Sequence, residues 1–399
     1  MKDMPQPAGA WQPPGWSPQG AVRFLHGLVA TAADGADPVL AEWAAGRPDG
    51  AWAEWLRGQG IAAYTHHRLR GEWLLAALPA ELAQALRGAY YLAAADAELH
   101  TRELREVLAA LGAGGVTPVL FKGAALAHLA YPDPACRPMG DLDLWVTAEA
   151  MPRARDLLIG LGYALHEKAE RPAALQAQQD GEVQLVGRRP GSGLVELHWG
   201  TFAGEWLRRT AAVDNAGILG RCRSVTVAGE AVQVMAAEDA AIQLAVHLAV
   251  NHQMAYPGVR GLLDVALLAR AEAVDWAVVA GRSRAWRVAT ATWLVLQVTD
   301  ELLGLPDARG AIAALTPSAL RRRLLARFTG PDEVLAGKDI TGGPRRLLYQ
   351  LLLVDRPRDA VRLVGRTLWP EPAWLDVRYG ASGAGVRLRH LGRALRGRL

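Results

Sequence analysis

Two aspartates, Asp141 and Asp143, stand in the short apolar run Asp141-Leu142-Asp143-Leu144-Trp145-Val146. A β-strand has a side-chain period of two, so both carboxylates leave one face while Leu142 and Leu144 leave the other. A second run, Leu194 to Trp199, carries Glu196 and His198 on one face, opposite Val195 and Leu197. If the two strands are neighbours, three carboxylates meet at one edge of a sheet. Hard oxygen donors in that arrangement suit Mg²⁺, which takes one or two carboxylates and fills its octahedron with water and phosphate oxygens. The matching chemistry is two-metal, in-line phosphoryl or nucleotidyl transfer, in which one ion activates the attacking oxygen and the other steadies the leaving pyrophosphate. Taken alone, an Asp-Leu-Asp run also reads as a pair of surface acids.

A turn just upstream fits the same picture. Val119-Leu120-Phe121 is a strand-like run, Lys122-Gly123 follows, and an Ala-rich helical stretch begins at Ala124. A strand, a glycine and a helix in that order present free N–H groups and the positive helix end to a bound phosphate, and glycine permits close approach. Lys122 or Arg137 would neutralise a triphosphate. By itself this pattern is also an ordinary tight turn. No GxxxxGK[ST], HExxH, CxxC or GxSxG motif is present.

The elements that must hold these residues follow from periodicity. Residues 1–20 contain Pro5, Pro7, Pro13, Pro14 and Pro18, which break a helix before it propagates, and read as a flexible leader. Residues 21–115 show apolar spacings of three and four, as in Phe24, Leu25, Leu28 and Trp52, Trp55, Leu56, and read as an N-terminal helical module ending at Gly112 to Gly115. Within it, one or two helices span Leu82 to Leu111, and His66 and His67, far from any acid cluster, read as structural. Residues 116–236 change period and predict a small α/β core. It holds strands at 119–121, 142–146 and 163–165, a helix to Leu161 that Thr147 can cap, and two hairpins. One hairpin turns through Gly187 to Gly193 and the other at Ala228-Gly229. Residues 237–380 read as a C-terminal helical module, opened by Glu238 and Asp239, and residues 381–399 as a basic tail. The fold class is α+β, a small mixed sheet flanked by helical modules.

Composition narrows the classes. Two cysteines, Cys136 and Cys222, are too few for a disulfide framework or a four-ligand zinc site and read as reduced thiols of a cytoplasmic protein. The N-terminus has no continuous apolar core of a signal peptide, and the longest uncharged stretch is broken by Gln243, His247, Asn251, His252 and Gln253, so no membrane span is expected. A formal net charge of +4 demands no nucleic-acid partner, but Arg387 to Arg398 holds five arginines and no acid. That tail reads either as a solvated, frayed helix or as a contact for an anionic partner such as RNA.

The combination resembles a family. The segments FKGAALAHLAYPDPACRPMGDLDLWV, VELHW, HLAVNH and GLLDVALL are similar to the bacterial uncharacterised nucleotidyltransferases with an LKG…R…DxD…LHW pattern, within the DNA polymerase beta-like nucleotidyltransferase fold, over about Leu40 to Tyr379. The resemblance implies that Asp141, Asp143 and Glu196 hold two Mg²⁺ ions. It implies that Lys122 and Gly123 face the phosphates of an NTP, ATP first, that Arg137 sits beside the site, and that His198 supports it by hydrogen bonding, packing or catalysis. His247 and Asp264 would tie helices together. The acceptor is open across the superfamily, among small molecules, proteins, peptides and RNA. Ala124 departs from the usual Gly-Ser turn and removes a phosphate-gripping hydroxyl, so a non-catalytic nucleotide- or peptide-binding module is the alternative.

Overall fold

A computed structural model of the chain describes residues 18–395 apart from 31–35, 71–72, 167–180, 190, 203, 256, 338 and 341–342. Most of the expected leader, Pro190 of the first hairpin loop and residues 396–399 of the tail therefore lie outside the described residues. The structure is α+β, with one seven-stranded mixed sheet among helices.

The strands are β1 (Val119–Leu120), β2 (Asp141–Trp145), β3 (Tyr163–Leu165), β4 (Glu182–Gly187), β5 (Leu194–His198), β6 (Arg223–Val227) and β7 (Glu230–Val234), in the order β3-β4-β5-β2-β1-β7-β6. Pairing is antiparallel for β1 with β2, β3 with β4, β4 with β5 and β6 with β7, and parallel for β2 with β5 and β1 with β7. The two hairpins form where the turn residues require them. Ala228 and Gly229 both take positive φ, 54° and 88°, as a two-residue turn between twisted strands demands.

Alternation along β2 divides the molecule into two cores. Leu142 and Leu144 join Leu120, Leu185, Val195 and Leu197 on one face, packed against Leu104, Val107, Leu108 and Leu111 and against Ala154 and Leu158. Those partners come from the helices Ala80–Ala113 and Met151–Gly160, the first a single 34-residue helix. Each such leucine contributes about 1.5–3 kcal/mol by leaving water. On the other face Val119, Phe121 and Trp145 belong to a larger cluster running from Ala21 to Leu363, so helices before and after the sheet in sequence share one core. The polar side chains of β2, β4 and β5 leave the sheet on this second face, toward the helices.

Past β7, the helix Ala237–Val246 opens on Glu238 and Asp239 and continues as a π turn at His247–Asn251. The helices Gly258–Ala271 and Ala289–Leu303 pack beside it. The tail differs from a frayed helix. Helix Ala384–Leu395 is docked through buried His390, whose Nδ1 lies 3.0 Å from Tyr379 Oη and whose Nε2 lies 2.9 Å from the Thr367 carbonyl. Among the described residues, no helix is long and apolar enough to cross a membrane.

Candidate active site

The parallel pairing of β2 with β5 sets Asp143 directly opposite Glu196, and the antiparallel pairing of β5 with β4 sets Gln184 opposite Glu196 and Glu182 opposite His198. Directly opposed residues share a face. The result is a patch of Asp141, Asp143, Glu196, His198, Glu182 and Gln184 spread over three strands. Ligand atoms of Asp143, Glu196 and His198 lie within 4.8 Å of one another, and Asp141 is not in that group.

His198 is the hub of the patch. Its Nε2 lies 2.9 Å from Asp143 Oδ1 and 3.7 Å from Glu196 Oε2, while its Nδ1 lies 3.3 Å from Glu182 Oε2. The imidazole is buried and its ring meets that of Phe121 edge-on, with centroids 5.1 Å apart. Gln184 Nε2 donates to Glu196 Oε1, which leaves Gln184 Oε1 buried with no partner among the described residues. Lys122 Nζ donates to Asp143 Oδ1 at 2.7 Å, and the two side chains are only 11% and 7% exposed.

The turn that delivers Lys122 is strained. Phe121 is extended and Lys122 takes φ 52°, a left-handed conformation that costs a non-glycine residue of order 1–3 kcal/mol. No side chain caps the helix Lys122–Leu129. Gly123 also has a steric reason. A Cβ there would stand 2.9 Å from Arg137 Nη1 and 3.1 Å from Arg137 Cζ, so glycine makes room for the guanidinium. That guanidinium is itself committed. Its Nε and Nη2 donate to Asp264 at 3.0 and 2.8 Å, Nη1 donates to the Pro138 carbonyl, and Tyr131 also donates to Asp264. Asp264 thus ties the helix Gly258–Ala271 to the loop before β2, rather than one later helix to another.

The crowd of carboxylates shapes the protonation of each member. Burial, then Asp143 and Glu182, pushes Glu196 up to about 8. Burial also opposes charge on Asp143, but Lys122 and the hydrogen bond from His198 win and hold it far below the usual carboxylate range. Burial and Asp143 raise Asp141, against the opposing pull of Lys122, Arg137 and Arg260. Lys122 is raised in spite of its burial, because Asp143 and Glu196 favour its charge. Two carboxylates and an imidazole at this spacing, with like-charge repulsion stored on Glu196 and an unpartnered amide oxygen beside it, fit a divalent cation.

Four participants lay outside the sequence reading. Glu182 and Gln184 enter through the β4 to β5 register, a signal present in the alternation of Glu182-Val183-Gln184-Leu185. Arg260 packs its stem against Gly60, donates to the Pro138 carbonyl at 3.0 Å, and is depressed to about 10 by burial and by Arg137. His252 pairs with His247 through Nε2 atoms 2.9 Å apart, and both rings feel Lys122 and Asp143, so His247 faces the patch rather than simply joining helices. His66, by contrast, packs on Tyr90, with centroids 4.9 Å apart.

The model of a protein family described as uncharacterised nucleotidyltransferase matches residues 49–304, well over half of the chain. The match contains the whole patch, from Lys122 to Arg260, and is shorter than the resemblance over about Leu40 to Tyr379. No curated protein matches the chain.

Proposed function

This chain belongs to the uncharacterised nucleotidyltransferase family, and we propose that it is a Mg²⁺-dependent enzyme moving an NMP group from an NTP, ATP first, to an acceptor hydroxyl with release of pyrophosphate. The observation that carries this reading is the Asp143, Glu196 and His198 cluster, within 4.8 Å, beside Lys122. A divalent cation bound there supplies Lewis-acid polarisation of the phosphoryl group and of the attacking hydroxyl.

The chain's own residues do the rest. Asp143 and Glu196 are the carboxylates that would hold a divalent cation, and Asp141, one pleat along β2, would be the third acid of the set. His198 lies against Asp143 and Glu196 through Nε2 and against Glu182 through Nδ1, contacts that fix the direction of the ring. Lys122 and Arg260, with the uncapped end of the helix Lys122–Leu129, favour an anionic ligand at the turn. Arg137 acts mainly by charge, since three of its five N–H groups are given to Asp264 and Pro138. The core, residues 116–236, works between the helical segments that flank it in sequence, and free cysteines with no membrane-crossing helix among the described residues favour a cytoplasmic setting.

The test is incubation with Mg²⁺ and α-labelled NTPs, scoring label on the protein, on candidate acceptors and in released nucleotide. Asp143→Asn and Asp141→Ala are expected to abolish transfer, and label transfer that persists in Asp143→Asn overturns the assignment. A binding module on the same fold is the second reading, favoured by Ala124 and by the commitment of Arg137 to Asp264. Calorimetric binding of MgATP without turnover on any acceptor would establish it. Against it stands Glu196, a largely buried carboxyl whose charged form the neighbouring acids oppose in the absence of a cation.

A further inference from the structure

The HLAVNH segment leaves the α-helical path as it reaches the patch. His247–Asn251 form a π turn, and Gln253 and Met254 follow with φ of 55° and 58°, two consecutive left-handed residues that are not glycine. Strain of this kind costs of order 1–3 kcal/mol per residue and persists only where the surrounding structure enforces it. In an α-helix, positions five apart point about 140° apart. The π turn instead brings the two rings together, with Nε2 atoms 2.9 Å apart, centroids 4.6 Å apart and ring planes at 83°.

One hydrogen bond between two Nε2 atoms needs a proton on one ring and a lone pair on the other, and the donor ring then keeps its free lone pair on Nδ1. His252 is exposed and His247 is half-buried. The groups around the pair are Lys122 on its helix, Asp143 on β2, His198 on β5, Arg137 in the loop before β2 and Arg260 on the helix Gly258–Ala271. Burial first, then Lys122, His252 and His198, holds His247 well below its ordinary value; the protein packed around its ring, then Lys122 and Arg260, lowers His252 too, even though that residue reaches solvent. Both rings are therefore neutral, and able to accept a proton, across neutral pH. His198 is engaged by Asp143 and Glu182 and has no such freedom.

We propose that His252 is the general base that deprotonates the attacking hydroxyl, and that His247 is the positioning residue that holds and stabilises it. The inference rests on the transfer reaction proposed above. The hydroxyl oxygen forms a bond to the α-phosphorus, and the bond from that phosphorus to the bridging oxygen breaks, its electron pair leaving with pyrophosphate. The hydroxyl proton passes to the Nδ1 lone pair of His252, and the imidazolium so formed donates its Nε2 proton to His247 in a charge-assisted bond.

The experiment uses the full chain with Mg²⁺ and α-labelled ATP, water serving as the acceptor, and follows labelled AMP. His252→Ala is expected to slow turnover by about 10²- to 10⁴-fold with unchanged MgATP affinity by calorimetry, and imidazole added to the buffer is expected to restore part of the rate. His252→Gln, which keeps a hydrogen-bonding amide but no base, stays slow. His247→Gln lowers kcat with little change in KM and shifts the acid limb of its pH profile. Wild-type turnover in both His252 variants overturns the proposal, as does a loss that imidazole does not recover. Wild-type protein no faster than Asp143→Asn, with water and with every acceptor hydroxyl supplied, overturns the transfer reaction itself, and this inference with it.

Discussion

Binding of a divalent cation is expected to expel a proton from Glu196. Burial, Asp143 and Glu182 push its carboxyl up to about 8, so at pH 7 it is mostly protonated. The metal needs the carboxylate, so each ion bound at pH 7 releases about half a proton to one proton, and fewer as pH rises past about 8. The apparent affinity for Mg²⁺ or Mn²⁺ then rises by about ten- to a hundredfold between pH 6 and pH 8. Isothermal titration in buffers of equal pH but different ionisation enthalpy reads the proton count from the slope of observed heat. Glu196→Gln removes the release and flattens the pH dependence. A slope of zero for wild type at pH 7, or an affinity that does not change with pH, refutes the electrostatic picture of the patch. The sign for stability follows from the same shift. The fold favours protonated Glu196, so its contribution is intact below the ordinary glutamate range and fades as pH rises through about 8, and added Mg²⁺ offsets that alkaline loss.

Gly123→Ala drives a Cβ to within 2.9 Å of Arg137 Nη1 and is expected to cost about 1–3 kcal/mol in urea unfolding, whereas in an Arg137→Ala background it costs almost nothing further. Additive losses would show that the guanidinium is not what glycine accommodates. Lys122→Met breaks a largely buried ion pair and is expected to destabilise by about 3–5 kcal/mol at pH 7. Because the Asp143 carboxyl is depressed, that stability is present above the ordinary aspartate range and is lost as pH falls, so the gap to wild type narrows in acid; a gap constant with pH contradicts the pairing. Truncation after Gly380 removes five arginines and no acid and is expected to lower affinity for a single-stranded RNA and to flatten its salt dependence in filter binding; unchanged binding dismisses the tail as an RNA contact.

Local sequence determined the parts of this site that depend only on chain geometry. A period of two sent Asp141 with Asp143, and Glu196 with His198, off common faces, and the Ala228-Gly229 pair forced a hairpin, because these outcomes rest on backbone stereochemistry a few residues long. Spacings of three and four likewise gave the helices on both sides, though not that Leu82 to Leu111 lies in one 34-residue helix. What only the tertiary structure decided is which strands meet and what each charge faces. Neighbouring β2 and β5 are far apart in sequence, and their register chose Asp143 rather than Asp141 to meet His198 and Glu196. The same packing brought Glu182 and Gln184 in from β4 and spent Arg137 on Asp264, 127 residues away. It also gave Gly123 the task of clearing a guanidinium and folded His247 onto His252. Those outcomes follow from burying charges that must be paired once water is gone, a requirement that operates between surfaces rather than along the chain.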